Sequence, residues 1–208
     1  MEIDLNSDMG EGFGRWRIAD DAALMRIVSS ANVACGYHAG DPLIMSSTVE
    51  VAKQNGVDIG AHVGFPDLIG FGRAQMQVVP AEFAKHVLYQ LGALHAIAVA
   101  AGYRVSHLSF HGALGNMAAV DRDLAETLVG AAASFDPTLM FSTSPSSEIT
   151  RAAQRLGLTT VGKFVADRAY DRQGQLVSRK VPGSVIKDPQ EVARRVVRLL
   201  DDGSVETI

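Results

Sequence analysis

Three histidines and a scatter of carboxylates hold the chemical potential of this sequence. His38 lies in Ala34-Cys35-Gly36-Tyr37-His38-Ala39-Gly40-Asp41, His62 in Gly60-Ala61-His62-Val63-Gly64, and His111 in Ser109-Phe110-His111-Gly112. Each comes just after a short apolar run of the kind that forms a buried strand. One histidine in an apolar setting is more often a satisfied core residue than a catalyst. Three at equivalent strand ends change those odds. The opening segment, Asp4-Leu5-Asn6-Ser7-Asp8-Met9-Gly10-Glu11, adds carboxylates, and alternation places Asp4, Asn6 and Asp8 on one face. Asp167 and Arg168 follow a later apolar run, and they could pair with each other. Arg73 ends a glycine-rich stretch, Gly70-Phe71-Gly72-Arg73, which reads as a lid or clamp able to grip a carboxylate with two hydrogen bonds. Asn116 could reach the same mouth or cap a turn.

Such a set can do two kinds of work. Carboxylates and imidazoles can bind a divalent metal and activate water, with Asp8, His38 and His62 as the candidate ligands. They can also act without metal, as acid, base and electrostatic clamp on a carbonyl. Cys35 reads as a small buried residue rather than a nucleophile, and Asp41 as a helix cap. His86 and His95 fall inside a long helical stretch and are given no chemistry.

Convergence of these residues requires a scaffold. Strands are expected at 2–5, 31–35, 57–61, 105–110, 138–142 and 159–165. Helices are expected at 20–28, 42–55, 80–101, 121–133, 144–156 and 189–200. Asp41-Pro42, Val79-Pro80 and Asp188-Pro189 supply helix starts, and Gly56, Gly102 and Gly157 supply left-handed ends. Strict alternation of strand and helix means a parallel sheet covered by helices. A closed barrel is preferred to an open doubly wound sheet, because barrel strand ends share one mouth. A full eight-stranded barrel needs about 250 residues, so the expectation is an α/β, TIM-like (β/α) barrel, seven-stranded and distorted or incompletely closed.

With 208 residues, 47% of them hydrophobic, the chain can build one sizeable core. A net charge of −4 and no basic cluster argue against nucleic acid and acidic membranes as partners. The single cysteine excludes an internal disulfide and a multi-cysteine zinc site. The opening MEIDLNSDMG lacks the pattern of a secretory leader, and a cytoplasmic chain is expected. No Walker A loop, GxGxxG after a strand, HExxH or GxSxG elbow is present, so no nucleotide site of its own is expected.

DLNSDMGEGFG, SANVACGYHAGDP, GAHVGFPD with GFGR, HGALGN and ADRAYDRQGQLVSR, taken together and in this order, resemble the LamB/YcsF family. The resemblance covers residues 2–208. It implies a barrel-like fold with some likeness to polysaccharide deacetylases. It also implies opening of the 5-oxoproline lactam to L-glutamate, with ATP hydrolysed through partner subunits B and C rather than by this chain. On matching positions it implies a site of Asp4, Asn6, Asp8, Glu11, His38, His62, His111, Asp167 and Arg168. Two positions depart from the family pattern: Ser109 stands where a lysine is usual, and Lys163 where an acid is frequent. Two expectations stand for Lys163, on the sixth strand: that it faces the helices or solvent, or that it supplies the missing positive charge. The family's chains run further, so residues 1–208 are expected to form a single barrel domain short of its C-terminal strand and helix. The other readings of the same residues are a stand-alone metal-dependent deacetylase or amidohydrolase, and a non-catalytic binding subunit.

Overall fold

The computed structural model describes residues 3–208. Six strands form one sheet in chain order: β1 (Asn6–Met9), β2 (Ser30–Ala34), β3 (Asp58–Val63), β4 (Val105–Phe110), β5 (Met140–Thr143) and β6 (Thr160–Gly162). Pairing is parallel from β1 through β5. An order without reversal is the winding of a barrel wall. A doubly wound sheet would show a switch point. The helices between them are α1 (Asp21–Leu24), α2 (Pro42–Asn55), α3 (Pro80–Ala100), α4 (Gly112–Val120), α5 (Arg122–Phe135), α6 (Glu148–Arg155) and α7 (Pro189–Asp202). No helix of the described residues is long and apolar enough to cross a membrane.

The chain divides into two compact units. The first runs to Thr143 and resumes over Ser147–Val161; the second holds Ser144–Ser146 and Gly162–Ile208.

In the first unit the two faces of the sheet differ in chemistry. Met9, Val33, Ala61, Leu108 and Phe141 stand in register across five strands, and all are fully buried. They share one apolar cluster with Val49 of α2, Leu91 and Leu94 of α3, and Leu128 of α5. The opposite face carries Asn6 and Asp8, Ser30 and Asn32, Gly60 and His62, then His107 and Ser109. A β-bulge makes this possible. Ile59 pairs with Val105, but Gly60 pairs with His107, so Ser106 is the extra residue. Without it the period of two would turn His107, Ser109 and His111 toward the helices.

In the second unit two arginines fasten irregular chain. The Arg195 guanidinium, on α7, donates to the carbonyls of Ala166 and Arg168, each at 2.8 Å. Buried Arg168 donates to the carbonyls of Ser184 and Val177.

Three expectations about elements are corrected. The first strand is Asn6–Met9, not 2–5, so Asn6 and Asp8 lie on it and Asp4 precedes it; Glu2 lies outside the described residues. A helix, α4, stands directly after β4 where only a connection was foreseen. β6 ends at Gly162, so Lys163 stands just past the strand rather than on it, and Asp167 follows five residues after its end.

Candidate active site

His62 is the last-but-one residue of β3, and His111 is the N-cap of α4, immediately after β4. His38 follows β2. Glu11 follows β1 after Gly10. Their side chains meet. His62 Nε2 and His111 Nδ1 are 2.9 Å apart, with ring planes at 85°. His38 Nε2 lies 3.1 Å from Glu11 Oε1, and His111 Nδ1 lies 3.6 Å from the same oxygen. Asp8 Oδ1 is 3.3 Å from His62 Nε2. The rings of His38 and His111 lie face to face, with centroids 3.8 Å apart and planes 5° apart.

Two backbone carbonyls fix the outer nitrogens of this cluster. His62 Nδ1 donates to Ser109 O at 3.0 Å, and His111 Nε2 donates to Phe71 O at 2.8 Å. Phe71 holds φ of 55°, the only left-handed non-glycine among the described residues, a conformation that is strained for a bulky side chain. Its ring meets both His38 and His111 edge to face, and the Arg73 guanidinium carbon lies 4.9 Å over it. The glycine-rich stretch is therefore pinned down. Asp67 accepts from Gly70 N at 2.7 Å, and Gly72 O accepts from Ala113 N at 2.9 Å. Gly72 has to be glycine here. Its φ is +62°, and a Cβ would come within 2.7 Å of His38 Cβ.

Burial governs the electrostatics. His38 and His111 are both pushed down to about 3, first by desolvation and then by the neighbouring His62. Desolvation also raises Glu11, against the pull of His62 and with the push of Asp8. Asp8 stands apart, its side chain 46% exposed. The cluster thus presents one reachable carboxylate over a buried group of imidazoles. Glu11, His38, His62 and His111 could hold a metal ion, since their ligand atoms all lie within 4.8 Å of one another. Asp8 is not in that group.

Beneath the cluster runs a ladder of polar side chains. Asp4 accepts from Ser29 and Ser30 hydroxyls, each at 2.6 Å. Asn6 Nδ2 donates to Ser30 Oγ at 2.7 Å, and its Oδ1 accepts from Asn32 at 2.6 Å. Asn32 donates onward to Asp8 Oδ1 at 2.9 Å, and its own Oδ1 lies 3.0 Å from His107 Nε2. Asp4 and Asn6 thus support Asp8 from below. His107 was not foreseen as part of the site. Its spacing of four from His111 was the available signal, and the bulge at Ser106 keeps both on one face.

The remaining candidates are placed as follows. Arg73 is exposed at the end of the Phe71 loop. Asn116 is exposed on α4 and caps nothing. Asp167 is exposed in the second unit, where its carbonyl accepts from Ile186 N at 2.8 Å. Cys35 is buried, donates to Val33 O and is pushed up to about 12, which leaves it inert as a nucleophile. A groove of about 880 Å³ near α1 and α2 is lined by Arg17, Asp21, Asp41 and Leu43, and none of the three site histidines reaches it.

Comparison with known proteins agrees with this picture. The model of the LamB/YcsF family matches residues 3–208. The first 5-oxoprolinase A-type chain of Pseudomonas syringae pv. tomato is 59% identical over 208 residues, covering 100% of this chain and 81% of its own length. The corresponding 5-oxoprolinase chain of Pyrococcus abyssi is 45% identical, covering 100% and 82%. The crystal structure of the lactam utilization protein from Thermus thermophilus superposes with a TM-score of 0.95 at 44% identity, covering 100% of this chain and 84% of that one.

Proposed function

The chain belongs to the LamB/YcsF family, and from that premise we propose that it is the ring-opening subunit of a 5-oxoprolinase, whose full set of subunits converts 5-oxoproline, ATP and two waters to L-glutamate, ADP and phosphate. The observation that carries the reading is the gathering of Asp8, Glu11, His38, His62 and His111 at or just past the ends of neighbouring strands.

An unactivated lactam is a poor electrophile because amide resonance spreads into its carbonyl. The reaction is therefore coupled to ATP through partner subunits B and C, and this chain brings no phosphate-cradling loop of its own. Its task is proton and charge management. Asp8, exposed and held from below by Asn32, takes a proton from the attacking water. The water oxygen bonds to the ring carbonyl carbon. The cluster of Glu11, His38, His62 and His111 could hold a cation, which would counter the charge that builds on the carbonyl oxygen. As the C–N bond breaks, Asp8 returns its proton to the departing nitrogen. Arg73 holds the substrate carboxylate. Asp4 and Asn6 are positioning residues that keep Asp8 in place. Asp167, Arg168 and Asn116 remain further candidates for substrate contact, supported by the family pattern for the first two.

The test is glutamate release from 5-oxoproline and ATP by the purified chain, alone and with both partner subunits. Release is expected only from the full set. Asp8→Asn is expected to lower the rate by about 10²–10⁴ without changing the circular dichroism. No glutamate from the full set, or an Asp8→Asn variant as fast as the wild type, overturns the reading.

A further inference from the structure

A carbonyl oxygen accepts hydrogen bonds and cannot donate them. Ser109 O and Phe71 O therefore place hydrogens on His62 Nδ1 and His111 Nε2. A neutral imidazole has one N–H. His62 Nε2 and His111 Nδ1 then confront each other with lone pairs at 2.9 Å. Two lone pairs that close repel unless a positive particle lies beside both. A proton can fill the gap by making one ring an imidazolium beside the Asp8 and Glu11 carboxylates. A metal cation meets both lone pairs at once. Outer N–H groups donating to main-chain carbonyls are also how metal-binding histidines are oriented.

The ring planes decide which groups can share such a cation. His62 and His111 meet at 85°, so both lone pairs can point to one position. His38 lies parallel to His111 at 3.8 Å, so no single ion can lie in both ring planes. His38 Nε2 instead faces Glu11 Oε1 at 3.1 Å, where an N–H can donate to that carboxyl oxygen. Zinc–nitrogen bonds of 2.0–2.1 Å set tetrahedral ligand separations of about 3.3 Å. The distances here bracket that value: 2.9 Å from His62 to His111 and 3.6 Å from His111 to Glu11.

We propose that His62 Nε2, His111 Nδ1 and Glu11 Oε1 form a three-ligand site for one divalent cation of the zinc class. The fourth position is open toward Asp8, and His38 orients Glu11 without binding the ion. Three protein ligands and one open position make the arrangement of a catalytic rather than a structural site. The cation would deepen the lactam reading by supplying the charge at the carbonyl oxygen. Its binding is measured without substrate, so either idea can fail alone.

The experiment is calorimetric titration of chelator-treated full chain with zinc ion, paired with the visible spectrum of the cobalt(II) form. One equivalent is expected, with cobalt bands of four-coordinate nitrogen and oxygen ligation. His62→Asn and His111→Asn should bind none. His38→Gln, whose amide can still donate to Glu11, should keep one equivalent at about 10–100-fold lower affinity. Asp8→Asn should keep it too. Circular dichroism and urea melts check that each variant is folded. The proposal falls if the folded wild type shows no saturable uptake of either ion, or if folded His62→Asn still binds an equivalent. It also falls if His38→Gln loses the ion as completely as His111→Asn, or if nitrogen NMR finds the His62–His111 gap filled by a proton in protein saturated with zinc.

Discussion

Gly60 shows how much a missing side chain can matter. A Cβ at this position would overlap the His107 ring, which crosses the strand to reach Asn32. Gly60→Ala is expected to cost about 1–3 kcal/mol, as other overpacked cores do. Urea denaturation measures it. It should also free Asn32 from His107 and loosen Asp8 above it, so turnover should fall by more than folding does. At this scale the sequence revealed residue types better than partners. Three strand-end histidines were visible as a set. Glu11 entered the site through the family pattern, not through spacing. That it faces His38 and His111 depends on a turn at Gly10 that no periodicity encodes. His107 could have been found by its spacing of four from His111; only the face that both take depends on the extra residue before them.

Among the elements, α2 shows local chemistry setting a boundary. Asp41 Oδ1 accepts from the Leu43 and Ile44 amides at 2.9 Å, and Oδ2 accepts from Gly14 N at 2.8 Å. It caps the helix and ties down the segment after β1. Asp41→Ala is expected to cost about 0.5–2 kcal/mol at neutral pH. The Ile44 amide, with those of Gly14 and Leu43, holds the Asp41 carboxyl below its ordinary 3.8. Its contribution is complete above that value and is lost as pH falls through the lowered one. Thermal melts below pH 4 should therefore fall more steeply for the wild type than for Asp41→Asn, which keeps an acceptor but no charge. Helices that open on proline were read nearly to the residue: α2 is Pro42–Asn55 as expected, and α3 and α7 begin at Pro80 and Pro189. β1 was misplaced because Asn6-Ser7-Asp8-Met9 looks like a loop. It is a strand whose inner face is polar. α4 was missed because Gly112 and Gly115 resemble turn residues, whereas Gly115 lets the helix pass close to Phe110 O. Asp121 then ends α4 and starts α5 at one residue.

For the molecule as a whole, alternation of strand and helix was enough to read a barrel-type wall, and its sequential strand order bears that out. The division into two units was not legible, since no linker composition marks Gly162. The family reading makes a further demand at this scale. A chain without a phosphate loop should show no saturable heat of ATP binding when purified alone, and ATP-dependent turnover should appear only with its partners. Binding of ATP by the isolated chain would place the energy-coupling step in this protein instead.

The bulge at Ser106 has a consequence for how this gene can vary. Because β4 reaches its polar facing through one residue without a strand partner, strand length here behaves like a reading frame. Loss of Ser106 would only remove the bulge, but loss of His107, or a codon gained just after it, would exchange the two faces from that point on. Leu108 and Phe110 would enter the polar side, and His111 would leave it. Two codons together would restore the facing. Beyond the bulge residue, length variation in this strand should therefore be tolerated only in pairs.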